Sequence, residues 1–139
     1  MMKHRIFPPV ALLLLLLGGR AQAQSNVVLI THAGVPKPDA TTVQRIYTGR
    51  VIEIAGVPVM PVNARGGALR SQFLQAWLKQ DEETYIAYWT VRRYIGKGAP
   101  PRELGSPAEV IGYVESTPGA IGYVNEADLK PGANVIIVR

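Results

Sequence analysis

The sequence contains no cysteine and only two histidines, His4 and His32. The absence of cysteine excludes disulfides, thiol catalysis and cysteine metal sites. Because His4 lies in the leader described below, His32 has no second histidine with which to form a metal-binding pair. No serine stands in a G-x-S-x-G turn, and His32 is the one histidine that could activate a serine, so we expect no Ser-His hydrolase. The sequence therefore predicts no enzyme, no catalytic residue, no bound metal and no cofactor.

The sequence also lacks an apolar run long enough to span a bilayer. The longest, residues 10–17, has eight residues, whereas a membrane-spanning helix needs about 20. The run follows a basic head with Lys3 and Arg5 and precedes the small-residue triplet AQA at 21–23. This order is typical of a cleavable signal peptide. We predict a leader over residues 1–23 and a periplasmic domain over 24–139, with no membrane span after cleavage; an uncleaved anchor is the alternative.

The predicted mature domain lacks a strong excess of charge of one sign. Three of the 15 Lys and Arg residues, at positions 3, 5 and 20, lie in the leader, which leaves 12 against 10 Asp and Glu, a net charge of +2. The longest basic run is the pair Arg92-Arg93. Nucleic-acid binding is therefore not expected. The length is that of one domain with one core.

Short apolar runs alternate with helical patterns along this domain. We predict strands at residues 27–30, 51–54, 57–62, 120–124 and 135–138, with Pro58 and Pro61 marking edge-like or irregular strands. We predict helices at 42–47 with Asp39 or Thr41 as the cap, after the glycines at 66–67, from Asp81 to Gly96, and from the Ser106–Glu109 capping box. This alternation predicts an α/β domain with a mixed β-sheet flanked by helices.

The segment VNARGGALRSQF, residues 62–73, has the pattern of an anion-binding turn, because a strand end, two glycines and an apolar-periodic helix follow one another. A helix N-terminus presents unsatisfied N–H donors and a partial positive charge to an anion. The candidate ligand-binding residues are Asn63, Arg65, Gly66, Gly67, Ala68, Leu69 and Arg70. The alternative is a tight turn in which both arginines are solvated surface charges.

Four motifs occur in order along the domain: QRIYTGR at 44–50, PVN before the glycine turn, GKGAPPRELGS at 96–106 and TPGAIGYV at 117–124. In this combination the chain resembles the phosphate-binding proteins of phosphate ABC transporters, especially their short exported relatives. The resemblance implies one lobe of a type II periplasmic-binding-protein fold. Full members clamp their ligand between two lobes, and this chain has the length of one, resembling the second. A homodimer or another protein would then supply the other lobe.

The turn departs from the family pattern, which resembles R-x-(D/E)-G-S-G-T. Residues 66–69 stand where G-S-G-T would be, so both hydroxyls are lost, while Asn63 replaces the arginine and Arg65 the acidic residue. Each lost hydrogen bond to a charged ligand costs about 1.5–3 kcal/mol. We therefore expect an exported, non-enzymatic solute-binding-like domain that binds phosphate or another small oxyanion weakly. The alternative is a ligand-free protein–protein interaction module of the cell envelope that kept the fold.

Overall fold

A computed structural model describes residues 26–136 of the chain, without the side chains of residues 135 and 136. The predicted leader and the end of the predicted last strand lie outside the described residues. The strands are, in chain order, β1 (Val27–Thr31), β2 (Glu53–Ile54), β3 (Val57–Pro58), β4 (Met60–Ala64), β5 (Arg102–Leu104), β6 (Ala120–Asn125) and β7 (Asn134–Ile136).

The main sheet has the strand order β5-β4-β6-β1-β7, and β2 and β3 form a separate hairpin. Strand β4 is parallel to both β5 and β6, whereas β1 is antiparallel to β6 and β7. The carboxyl ends of β4, β5 and β6 therefore meet at one edge of the sheet. The predicted mixed sheet is confirmed.

Within residues 26–136 four α-helices connect the strands, and three of them begin with a side-chain cap. They are α1 (Ala40–Tyr47), α2 (Ala68–Phe73), α3 (Glu82–Tyr94) and α4 (Pro107–Ser116). Asp39 caps α1 by accepting from the N–H of Thr42 at 2.7 Å, and Asp81 caps α3 in the same way. These hydrogen bonds lower the pKa of both aspartates, because they favour the ionised carboxylate. Asp39, and not Thr41, is thus the cap of α1.

The sheet is covered on both faces, because successive strand residues point to opposite sides. Leu29 of β1 packs in the larger cluster with α1, α2 and α3, and its neighbours Val28 and Ile30 pack in the smaller cluster against α4. The apolar run at 27–30 is therefore a strand buried on both faces, as predicted. Among residues 26–136, no helix is long and apolar enough to cross a membrane.

The predicted strand at 57–62 is two elements. Val57 and Pro58 form the hairpin with β2 across Ala55 and Gly56, whose positive φ angles of 49° and 80° suit a two-residue turn. The chain then enters the main sheet as β4, which is an interior strand, so of the two alternatives given for Pro61 the edge-like strand is wrong and the irregular strand agrees with the structure. Pairing with β5 begins only at Val62, which leaves β4 open on that side at Pro61.

Candidate functional site

The glycine turn lies at the sheet edge where the three parallel strands end. An open pocket of about 320 Å³ lies among the residues that follow β4 and β5 and beside Asn125 at the end of β6. It is lined by residues 64–69, 104–107, 110 and 125, and we call it the glycine-turn pocket. Ligands of open α/β sheets gather outside the carboxyl ends of strands. The structure thus brings five of the seven predicted site residues, positions 65–69, into one pocket.

Two helix N-termini converge on this pocket. Helix α2 starts after Gly67, which has a φ of 152° and provides no side-chain cap for the first-turn N–H groups. A π-helical segment (Leu74–Leu78) follows α2 directly, so the helical run continues through Leu78. Helix α4 starts after Ser106, whose Oγ accepts from the N–H of Glu109 at 3.2 Å and keeps its hydroxyl proton as a donor. The backbone of α2 and the hydroxyl of Ser106 therefore offer donors to an anion from two sides.

Arg65 supplies the positive side chain of the pocket. Its Nη2 lies 3.4 Å from the position that a Cβ on Gly105 would occupy. The guanidinium is therefore at the rim of the pocket, between the glycine turn and the turn that joins β5 to α4. Both ion pairs within 4 Å among the described residues belong to Arg70, so the Arg65 guanidinium is not neutralised by a carboxylate in that range. The nearby Glu109 carboxylate accepts from the N–H of Gly105 at 2.8 Å, which occupies one backbone donor.

Arg70 lies behind the turn and does not line the pocket. It is 5% exposed, and its guanidinium pairs with Glu82 at 2.8 Å and with Glu103 at 2.6 Å. Burial acts to lower the pKa of Arg70, but the two carboxylates outweigh that effect and raise it, so the side chain stays charged. Its Nη1 also donates to the carbonyl oxygen of Ala64 at 3.4 Å. The structure therefore places Arg70 as a support for the turn.

Asn63 also lies behind the turn, in a buried network of phenols. It is 1% exposed; its Nδ2 donates to the Tyr85 hydroxyl at 3.1 Å, and its Oδ1 accepts from the Tyr123 hydroxyl at 3.1 Å. The N–H of Ala64 donates to the same Tyr123 oxygen at 3.0 Å. Burial raises the pKa of both tyrosines, so they remain neutral. Asn63 is thus committed to this network and does not line the glycine-turn pocket.

Two polar residues of the pocket were not singled out as site residues from the sequence, where Ser106 was interpreted as a helix cap and Asn125 carried no signal. The Oδ1 of Asn125 is buried and has no hydrogen-bond partner among the described residues. Both residues reach the pocket through the parallel pairing of β4 with β5 and β6. The capping box at Ser106 signals only the start of a helix, because no sequence pattern predicts strand β5 before it.

Comparisons with known proteins identify solved structures that share the fold of this chain. No family model matches the chain, and no curated protein matches it. An ABC-type phosphate transport receptor from Vibrio cholerae is similar in structure, with a TM-score of 0.61 and 12% identity over 81% of this chain and 45% of the receptor. A putative phosphate ABC transporter substrate-binding protein from Clostridium perfringens, with bound phosphate, matches with a TM-score of 0.61 and 20% identity over 81% and 44%.

The chain thus spans less than half the length of these two proteins and has the fold of a single lobe of a phosphate-binding protein. The fold that the motif resemblance implied is confirmed. One neighbour is described as a phosphate transport receptor and the other as a putative substrate-binding protein. At these identities the likeness shows the fold; the ligand is a separate question.

Proposed function

We propose that this domain binds a small oxyanion of the phosphate class in the glycine-turn pocket and serves as an exported solute-binding module. One observation carries the proposal: two helix N-termini and the guanidinium of Arg65, which has no ion pair within 4 Å among residues 26–136, converge on one pocket at the carboxyl ends of three parallel strands. The structural similarity to a phosphate transport receptor and to a substrate-binding protein with bound phosphate supports the same ligand class.

The charges around the pocket favour the binding of an anion with modest affinity. The first turn of α2 and the guanidinium of Arg65 attract a negative charge, and the Ser106 hydroxyl replaces one of the two hydroxyls that the turn lacks. The Glu109 carboxylate opposes binding, since it lies at the rim and already uses the Gly105 N–H. A pocket that is open on one side also leaves the anion in water, which weakens every charged contact.

The export and partner proposals rest on the leader and on the neighbours. The segment over residues 1–23 would direct the chain to the periplasm, where receptors of ABC transporters capture their substrates. A second copy or another protein would supply the opposite wall of the pocket and raise the affinity by excluding water. The chain would then act as one half of a two-part binding site.

The test uses the full chain expressed with its own leader and purified from the periplasmic fraction. Mass spectrometry of the purified protein gives its N-terminus, which we expect at Gln24. Calorimetric titration with phosphate should give saturable heat, and sulfate and acetate follow as competing anions. Arg65→Ala should weaken binding by about 10-fold or more, because a hydrogen bond to a charged group contributes about 1.5–3 kcal/mol.

Lys37→Ala is the matched control, since Lys37 is exposed and lies outside the glycine-turn pocket. This variant should bind the anion as the wild type does. No heat up to millimolar phosphate, sulfate or acetate would overturn the proposal, and the ligand-free interaction module would then be the better description. Equal losses in both variants would assign the heat to nonspecific charge.

A further inference from the structure

A second, larger cavity lies at the opposite edge of the main sheet. It has a volume of about 380 Å³ and is lined by residues 49, 51, 52, 59–61, 89, 99, 101, 102 and 113; we call it the basic groove. Strand β4 starts at this groove with Met60 and ends beside the glycine-turn pocket with Ala64. At about 3.3 Å per residue, roughly 10 Å of β4 lies between Pro61 of the groove and Ala64 of the pocket, and roughly 7 Å of β5 lies between Arg102 and Leu104.

The wall of the basic groove is apolar and faces solvent. Ile52 is 73% exposed and Met60 is 46% exposed, although both are large apolar side chains. Trp89 lies buried at the floor, where its ring approaches Gly49. Single exposed apolar residues are common, but a cluster around a cavity marks an interaction site. The groove is therefore shaped to receive an apolar side chain.

Two arginines flank this apolar wall. Arg102 lines the groove. The Arg92 guanidinium stacks on the Trp89 ring at 5.6 Å, and its Nη2 lies 3.4 Å from the position that a Cβ on Gly49 would occupy. Within the described part of the chain, neither arginine forms an ion pair within 4 Å. Their charge is thus available to a partner.

We propose that the basic groove docks an acidic segment of another protein, which inserts an apolar side chain over Trp89 while its carboxylates pair with Arg102 and Arg92. Charge complementarity selects the sign of the partner and speeds its association. A second copy of this chain fits poorly, because a two-fold contact through the groove would place like charges against each other. A lipid surface fits poorly as well, since a flat bilayer leaves a cavity with a buried floor unfilled.

The test measures the fluorescence anisotropy of a fluorescein-labelled polyglutamate peptide with a central Leu-Phe pair. The peptide is titrated with the purified protein, which is expressed as the full chain with its own leader. Saturable binding is expected, and it should weaken with added salt because Arg102 is exposed and Arg92 is partly exposed. Replacing Leu-Phe by Ala-Ala in the peptide, or glutamate by lysine, should each reduce binding by about tenfold or more. Phosphate is left out of the buffer, so the result is independent of the glycine-turn pocket.

The protein variants separate the groove from general charge. Arg102→Glu and Ile52→Ser should each weaken peptide binding about tenfold or more, since both side chains are exposed in the groove. Lys37→Glu makes the same charge change outside the groove and should leave binding within about twofold. Circular dichroism confirms that each variant is folded.

Four outcomes would overturn the proposal. The first is an absence of saturable peptide binding up to millimolar concentration. The second is equal weakening by Lys37→Glu and Arg102→Glu, which would indicate nonspecific attraction. The third is binding to phosphatidylglycerol vesicles without binding to the peptide, which would make the groove a lipid contact. The fourth is a dimer in sedimentation that Ile52→Ser dissociates, which would make the groove a contact between copies.

Discussion

At the scale of single residues, the shape of the glycine turn depends on polar atoms buried behind it. The N–H of Ala64 donates to the Tyr123 hydroxyl, and the carbonyl oxygen of Ala64 accepts from Arg70. Both polar groups of the last residue of β4 are therefore fixed before the chain turns at Arg65. The predicted site residues therefore form two groups: those that line the glycine-turn pocket, and those that lie behind the turn and help to hold Ala64 in place.

Tyr123→Phe should separate affinity from stability. The change removes the acceptor of the Ala64 N–H and the donor to Asn63, and leaving buried polar groups unpaired costs about 1–3 kcal/mol. Because Ala64 is then no longer held in place before the glycine turn, we also expect weaker phosphate binding. Urea denaturation measures the free energy of unfolding, and calorimetry measures the affinity.

Tyr47→Phe is the matched control for this prediction. The Tyr47 hydroxyl donates to the carbonyl oxygens of Val62 and Ile121 in the same aromatic cluster, and it does not bond to Ala64. This variant should lose a similar free energy of unfolding and keep its affinity. If both variants bind phosphate equally well, the buried network stabilises the fold without shaping the pocket.

At the scale of elements, the turn between α4 and β6 contacts the chain at the point where the β2–β3 hairpin leads into β4. Gly119 has a φ of 81°, and its carbonyl oxygen accepts from the N–H of Met60 at 2.8 Å. A Cβ at this position would overlap the carbonyl oxygen of Pro58. Close contact between two backbones therefore requires glycine here, in addition to the left-handed conformation.

Gly119→Ala and Gly56→Ala should separate these two requirements. Gly56 has nearly the same φ, 80°, but a Cβ there meets no atom within 4 Å, so its replacement costs only the conformational strain of about 1–2 kcal/mol. Gly119→Ala adds the overlap, which typically costs a further 1–3 kcal/mol or more. Thermal and urea unfolding of the two variants give the difference, and equal losses would contradict the close contact.

The same scale shows which elements the sequence predicts and which it does not. Strand β1 and helix α4 are predictable because a continuous apolar run and a capping box are local signals. Strand β5 has three residues, two of them charged, so it carries no apolar period and forms only by pairing with β4. The π-helical segment is equally hidden, since its apolar spacing is that of an ordinary helix.

The candidate site follows the same division. The glycine turn and Arg65 are contiguous in sequence, so their pattern could be recognised there. Ser106 and Asn125 follow other strands, and only the strand order of the sheet brings them to the same pocket. Arg70 was predicted as a possible ligand because it lies in the first turn of a helix that points to the pocket; its pairing with Glu82 and Glu103 is a tertiary feature.

At the scale of the whole molecule, the two proposed sites occupy opposite edges of one sheet. The glycine-turn pocket lies beyond the carboxyl end of β4, and the basic groove lies at its start. Buried side chains fill both faces of the sheet between them. A single domain can therefore hold an anion at one edge and a partner at the other without either blocking the other's access.

We expect the two sites to bind independently. The linings of the two sites approach to roughly 7–10 Å, which is close to the Debye length of about 8 Å at physiological salt, so screening leaves only a weak repulsion between a bound phosphate and an acidic peptide. The dissociation constant of the peptide measured in saturating phosphate should therefore agree within about twofold with the value measured without it. Arg65→Ala should remove the anion response and leave peptide binding intact, and Ile52→Ser should do the reverse. A shift of more than about fivefold in either direction would show that the anion controls docking, and by reciprocity the peptide would change the affinity for phosphate by the same factor.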